Sequence, residues 1–349
     1  MAVSQAAGAS SAAAATRGQP GGNMDEQGRR VRRFEAPPTI RSLFMLETCA
    51  SMISDRKRPS FGNQVEISMR RQGETAWRAR FLASDNPTGI DAVARREADL
   101  AIINPSVVLT LAYRGTSAYR RPLPLRAITV LPQRDFVLLA VKAGTGLTYL
   151  EELAEERVPL RLSLRGQEPN HSIHLVLADI LAAAGCPLHR LESWGGRVCY
   201  DPGLGDAPGR LGGVVAGERD AIFDEAFPVW AGPALEAGMT FLSLREETIA
   251  KLTALGYRHA TITPELCPGL VGEVQAIDFS GWAVFCHAEA SEELVERLCV
   301  AIVDRFDRIP WDGPGPLPLE RMCGTFPEAP LDVPLHPVAE RFWRERGYL

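Results

Sequence analysis

The sequence predicts an α/β protein of two lobes, and three features carry that expectation. Short apolar runs alternate with amphipathic segments from Thr39 onward, the pattern of sheets covered by helices. The chain has 349 residues, more than one hydrophobic core usually organises. Hydrophobic residues make up 46% of it, which is enough to bury a large interior.

Residues 1–38 precede this pattern. They are rich in Ala, Gly, Ser, Gln and Arg with almost no periodic apolar positions, so they cannot offset their ordering entropy and are expected to form a disordered tail. The cluster Arg29, Arg30, Arg32 and Arg33 reads as part of that solvated tail rather than as a phosphate-binding arm. The apolar runs 42–46, 65–69, 100–103, 127–131 and 136–141 follow as expected strands.

Residues 160–164 read as a strand, 165–170 as a loop and 171–184 as a helix. Ile173, Val176, Leu177, Ile180 and Leu181 share one helical face, Asn170 or Ser172 is the expected cap, and Gly185 suits a left-handed stop. In a second unit, 211–217 precede the run 220–223 and the loop 224–228. In a third, 282–286 lead into a helix over 291–306 that opens with Ser291, Glu292 and Glu293. The Gly/Pro-rich stretches 201–213 and 312–318 have turn chemistry and are expected as surface loops.

A net charge of −5 and a pI near 5.8 argue against a nucleic-acid partner. The seven cysteines include no C-x-x-C pair and no histidine at ligand spacing, so they read as reduced thiols, with no metal or cofactor expected. No window reaches the roughly 18 to 20 apolar residues of a membrane span, so a soluble protein is expected. Residues 1–15 lack the basic and leucine-rich regions of an export signal; the chain as written is expected in the cytoplasm, and in the periplasm if its N-terminus is misassigned.

Signature motifs of common hydrolases, metalloproteases and nucleotide-binding proteins are absent, which lowers an enzyme reading. The start of the helix at 171 offers free backbone N–H groups to a carboxylate or other anion, lined by Arg165, Gly166, Asn170, His171 and Ser172. Equally, Asn170 and Ser172 could do no more than satisfy those amides. His171 and His174 read as a cap and a helix-surface residue rather than metal ligands. Asp224 and Glu225 stand just past an apolar run, suited to a ligand amine more than to acid–base work. Asn104 and Ser106 follow the strand 100–103, at a carboxyl end where open α/β sheets bind ligands. Trp282 and Trp230 are the tryptophans expected to touch a ligand.

Four segments resemble the TAXI-type solute-binding proteins that serve tripartite ATP-independent periplasmic (TRAP) transporters. Residues 90–105, IDAVARREADLAIINP, are similar to the family's "G-E-A-D-L-G-I-V-Q" helix end. Residues 125–164 are similar to its domain-crossing strand and the "D-S-G-I-K-S-L-A-D-L-K-G" turn. Within 165–223, VLADILAAAG and VAGERDAIF resemble its next helix and "L-K-D-G-Q-I-D-A-F-F", and PLHPVAERFWRERG at 334–347 is similar to its closing segment. The resemblance covers roughly residues 90–347 and implies a type II periplasmic-binding-protein fold, a small carboxylate-bearing ligand such as an amino or organic acid, and TRAP membrane subunits as partners. Two departures fall at the ligand: the family's glycine-rich first loop has no counterpart after residue 46, and its "G-S-G-T-E" loop is replaced by GQEPNHS at 166–172.

The resulting expectation is a first lobe of 39–141 plus 280–349 and a second of 142–279, joined by crossings near 136–141 and 277–285, with hinge closure on a ligand between them. Arg134, beside a crossing, is the expected partner of a ligand carboxylate. The alternatives are an enzyme on the same fold, using His171, Asp224 and Glu225, or a cytoplasmic metabolite-sensing regulatory protein whose tail docks a partner.

Overall fold

The computed structural model describes residues 64–70, 78–84, 87–166 and 171–349, all within one compact unit, Gly62–Leu349. The expected tail, the strand at 42–46, Cys49, Trp77 and Asn170 lie outside the described residues.

The first lobe begins with β1 (Gln64–Arg70), β2 (Arg78–Ser84), α1 (Thr88–Ala94), β3 (Leu100–Ile103), α2 (Ser106–Arg114) and β4 (Leu125–Leu131). The chain crosses at 132–135 into the second lobe: β5 (Phe136–Val141), α3 (Glu152–Glu155), β6 (Arg161–Arg165), α4 (Ser172–Ala183), α5 (Leu188–Ser193) and β7 (Arg197–Asp201). There follow α6 (Leu211–Val215), β8 (Ala221–Asp224), α7 (Phe227–Glu236), β9 (Thr240–Phe241), α8 (Glu246–Leu255), β10 (His259–Ile262) and β11 (Val274–Asp278). Residues 279–281 return it to β12 (Trp282–His287), α9 (Glu292–Arg305) and α10 (Pro337–Glu345).

The sheets have the orders β1-β2-β3-β12-β4 and β10-β11-β5-β8-β6-β7, with β9 also on β5. In the second, β6 runs parallel to both β7 and β8. One strand in each sheet arrives through a crossing and runs against its neighbours: β12 against β3 and β4, and β5 against β8 and β11. This is the arrangement of the type II periplasmic-binding-protein fold expected from the sequence.

Local chemistry accounts for the elements. Strand β5, FVLLAV, is buried at every position, as a central strand covered on both faces must be. Helix α4 buries Ile173, Val176, Leu177, Ile180 and Leu181, and Gly185 follows it at φ +79. Its cap is His171, as the reading of that residue as a cap expected, and its Nδ1 accepts from the Ile173 N–H at 3.1 Å, while Ser172 is the first residue of the helix. Ser291 occupies the cap position of α9 without a side-chain cap bond, leaving Glu292 and Glu293 to complement the first turn. The six described cysteines are free and buried. Burial pushes the Cys286, Cys299 and Cys323 thiols up to about 12, so they stay protonated.

Helix α2 sets how the lobes meet. Every residue from Ser106 to Ala112 is buried, and a helix buried on every face needs cover on both sides. The first sheet provides one side. The second lobe provides the other: a continuous cluster of buried apolar side chains joins Val107, Val108 and Leu111 of α2 to Ile173, Leu252 and Tyr257. Polar contacts frame this seam, since Thr116 donates to the carbonyl of Leu255 and Asp179 of α4 accepts from both Ser117 and Tyr257. Replacing Leu111 by Ala should therefore cost about 3 kcal/mol of unfolding free energy in a denaturant titration, the usual cavity penalty for a fully buried leucine.

Candidate functional site

The parallel strands β6, β7 and β8 each end on a charged residue, Arg165, Asp201 and Asp224. Carboxyl ends of such strands form the mouth of an α/β sheet, and here the mouth is charged. Asp224 has no exposed surface, and its Oδ1 accepts from Arg165 Nε at 3.1 Å and Nη2 at 3.0 Å. Arg210 Nη1 donates to its Oδ2. Arg165 Nη2 also reaches Glu225 Oε1 at 2.6 Å.

Arg210 is fully buried, which is tolerable because its donors are spoken for. Besides Asp224 it donates to Ser163 Oγ and to the carbonyls of Gly203 and Phe223, each at 3.1 Å. Ser163 passes the link on to Asp201 Oδ2 at 2.8 Å, and Arg219 closes on Asp201 with contacts of 2.9 and 2.8 Å. The stretch 201–213, expected as a surface loop, is thus drawn inward at both ends: Asp201 ends β7, and Arg210 is pulled beneath the mouth by Asp224.

The environment tunes each group. Burial works against the Arg165 cation, but Asp224 and Glu225 outweigh it and the net shift is upward. For Arg210 burial wins and the shift is downward. Burial, then Arg165 and His174, push the His171 imidazole down to about 4, so at neutral pH it is an uncharged acceptor, as its capping role requires. His174 is likewise lowered by burial.

A second polar set lies where the crossings meet. Phe279 N–H donates to the Asp135 carbonyl and Gly281 N–H to the Gln133 carbonyl, both at 3.0 Å. Asp135 reaches into the second lobe: its Oδ2 accepts from Ala226 N–H at 2.8 Å and its Oδ1 from Phe227 N–H at 2.9 Å, capping α7. Ala226 turns the chain there in the left-handed region, at φ +57.

The structure brings Arg165, Asp224 and Glu225 together, with Gly166 following Arg165 and His171 electrostatically coupled to it. The other expected residues go elsewhere. Asn104 Nδ2 donates to Gln133 Oε1 at 2.6 Å and to the Gly281 carbonyl at 3.2 Å, and Ser106 Oγ donates to the Ser280 carbonyl at 2.9 Å. Both serve the crossings. Arg134, expected to meet a ligand carboxylate, donates to the Pro327 carbonyl at 2.6 Å, pairs with Asp278 at 3.3 Å and stacks over Phe136, which ties it to the hinge. Trp230 is fully buried and donates to the Glu225 carbonyl at 2.9 Å, supporting the mouth from within the core. Trp282 starts β12 opposite Leu131 and is partly buried. Ser172 is buried as the first residue of α4. Among the described residues no three His, Cys, Asp or Glu side chains converge to hold a metal ion.

Sequence reasoning missed Arg210 and Asp135. Asp135 had a signal, a lone acid directly before an all-apolar strand; Arg210 had none, sitting in a Gly/Pro-rich stretch.

No family model matches the chain, and no curated protein matches it. Among solved structures it is similar to a periplasmic transporter protein at 16% identity and a TM-score of 0.33, over 63% of this chain and 69% of that one. It is similar to a TctC solute-binding protein from Polaromonas at 14% identity and 0.33, over 62% and 68%. It is also similar to a periplasmic sulfonate-binding protein, SsuA, from Methylobacillus flagellatus KT, at 11% identity and 0.31, over 64% and 54%. None of these values assigns the chain to a family. No helix among the described residues is long and apolar enough to cross a membrane.

Two outcomes follow from the charged mouth. Arg210→Met leaves a buried carboxylate short of a partner and should destabilise the protein by about 3 to 5 kcal/mol, read by chemical denaturation. His171 should not titrate above about pH 5 in an NMR titration. Because its folded value lies below the unfolded one near 6.5, its contribution is whole above that pH and is lost as pH falls toward 4.

Proposed function

We propose that the chain is a small-molecule binding protein, rather than an enzyme, that holds a carboxylate-bearing solute between its lobes. In this reading closure occurs about the two crossings, 132–135 and 279–281; the boundary expected at residue 141 moves to 135, because β5 pairs with β8 and β11 in the second sheet. The carrying observation is the concentration of paired charges at the ends of β6 and β8, beside those crossings. The scaffold does not need ions there, since buried ion pairs are weak contributors to stability, whereas a polar solute does need fixed charges at a strand mouth. Arg165 and Glu225, with side chains 15% and 11% exposed, are the members of this inner set that reach the surface.

Arg165, Gly166, His171 and Glu225 form the second-lobe wall, with Ser172 opening α4; Asn170, the other residue expected there, lies outside the described residues. Asn104, Ser106 and Trp282 flank the site from the crossings and the first lobe. Binding suits this wall better than turnover. Both oxygens of Asp224 are held in ion pairs and Nδ1 of His171 is spent on its own helix, so neither is poised as a base. The finer assignment, a TAXI-type receptor delivering its solute to TRAP membrane subunits in the periplasm, rests on the four sequence segments that resemble that family.

The test is a thermal-shift screen of purified protein against amino acids, dicarboxylates and other small acids. A true ligand at a hundredfold its Kd should raise the melting temperature by roughly 5 °C, and Arg165→Ala should abolish the shift without product appearing. A saturable shift accompanied by consumption of the compound would make the protein an enzyme. No shift across the panel would remove the small-acid reading.

A further inference from the structure

We propose that the outer edge of β1 is an interface between two copies of this chain, which meet there antiparallel about a twofold axis through Ser68 and join their first sheets into one. A sheet edge offers unpaired N–H and C=O groups to any strand that can reach them, and proteins cover such edges or blunt them. The other edge of this sheet, β4, is covered: Ala127 N–H donates to the Pro334 carbonyl at 3.0 Å, the Ala127 carbonyl accepts from His336 N–H at 2.8 Å, and Val130 N–H donates to the Met322 carbonyl at 3.0 Å. Among the described residues β1 pairs with β2 alone. It is a regular ladder of seven residues without proline, glycine or bulge, whereas the edges of the second sheet, β10 and β7, have four and five.

The two faces of β1 show what the edge fits. Ile67 stands opposite Phe81 and Met69 opposite Ala79, and those β2 residues share an apolar cluster with side chains of α9 and α10. Ile67 and Met69 carry the same face one strand further, yet they are 45% and 43% exposed. The other face presents Glu66, Ser68 and Arg70. Arg80 Nε donates to Glu66 Oε1 at 2.6 Å. Arg70 stands opposite Arg78, and no acid among the described residues pairs with either guanidinium. Like charges facing each other across a ladder are unfavourable, so this end of the strand lacks an anion.

These residues select both the occupant and its register. A twofold axis perpendicular to the sheet keeps each face on its own side, so residues of one face pair only with residues of the same face. With the axis at Ser68, the exposed residues 66–70 all find partners. Glu66 faces Arg70 of the second copy, Ile67 faces its Met69, and Ser68 faces Ser68. The Glu66–Arg70 pair occurs twice by symmetry and brings to each Arg70 the anion it lacks. The Ile67–Met69 pairs close the apolar face across the join. Sliding the register by two residues sets Glu66 opposite Ser68 and loses both charge pairs.

In such a dimer main-chain hydrogen bonds between the two edges supply the affinity, and the charges fix the register. Seven residues a side make a small interface, so the association is concentration-dependent, with a dissociation constant on the order of 10 µM. The dimer lies on the first sheet and is independent of the charged mouth in the second.

The experiment is analytical sedimentation of the full chain across roughly 1 to 100 µM, where the dimer should appear by mass action. Arg70→Glu leaves the Glu66–Arg80 contact in place but sets acid against acid across the axis, and should weaken the dimer about tenfold; adding Glu66→Arg should restore it. Ser68→Cys should cross-link two copies under mild oxidation, because opposed residues of antiparallel strands lie about 4.5 to 5.5 Å apart at Cα, within disulfide reach. Glu66→Cys should not, since its two copies lie at least about 13 Å apart. A monomer throughout the range overturns the proposal and leaves the edge to the chain's own residues before β1 or to a different protein. A dimer that Arg70→Glu leaves unchanged, or in which Ser68→Cys does not cross-link, overturns it as well. If Arg70→Glu does not fold, the two cysteine variants decide by themselves.

Discussion

Asp224 sits without exposed surface between two guanidinium groups, and the mouth of the second lobe is arranged around that contact. A buried carboxylate is tolerated only when its lone pairs are taken up. Meeting that demand pulls Arg210 and the chain around it beneath the sheet. It also holds Arg165 flat across the ends of β6 and β8, from where it reaches Glu225. Through Ser163 the same network touches Asp201 and Arg219, so the ends of all three parallel strands are linked.

The crossings extend that arrangement to the first lobe. Their backbones are hydrogen-bonded to each other, Ser280 Oγ accepts the Asp135 N–H at 3.0 Å, and Asn104 and Ser106 fasten α2 to the returning strand. Asp135 then reaches over to cap α7. The residues beside the hinge thus stand in a chain of short polar contacts running from α2 to the mouth of the second lobe. Meanwhile α2, buried from Ser106 to Ala112, is covered by both lobes, and its Val107, Val108 and Leu111 supply the non-directional part of the same union.

Much of the architecture was legible because it is written in local periodicity. The strands at 100–103, 136–141 and 160–164 and the helices at 171–184 and 291–306 are found within a residue or two of where hydrophobic pattern and Gly185 place them. Arg165, Asp224 and Glu225 were legible for a related reason, since charged residues that end apolar runs stand at a strand mouth. What they do there was not: the sequence suggested groups waiting for a ligand, and the structure pairs them with one another. Arg134 was read as a ligand contact because it lies beside a crossing, yet a carbonyl at Pro327 and an acid at Asp278, far along the chain, claim it first. The cap of α4 is His171, one of the residues the sequence offered for it, because the backbone there points a neutral imidazole nitrogen at the Ile173 amide.

By itself the sequence determined the alternation of strands and helices, the burial of their apolar faces and the charged ends of β6 and β8. These depend on neighbours one or a few residues apart, where spacing and side-chain type decide. Only the tertiary structure decided the partners. The bond of Arg210 to Asp224 follows from β8 lying beside β6, and the cap that Asp135 places on α7 spans about ninety residues of sequence. Ion pairs and caps of that kind are selected by which atoms the packed core leaves within three ångströms, and no pattern of spacing records that distance.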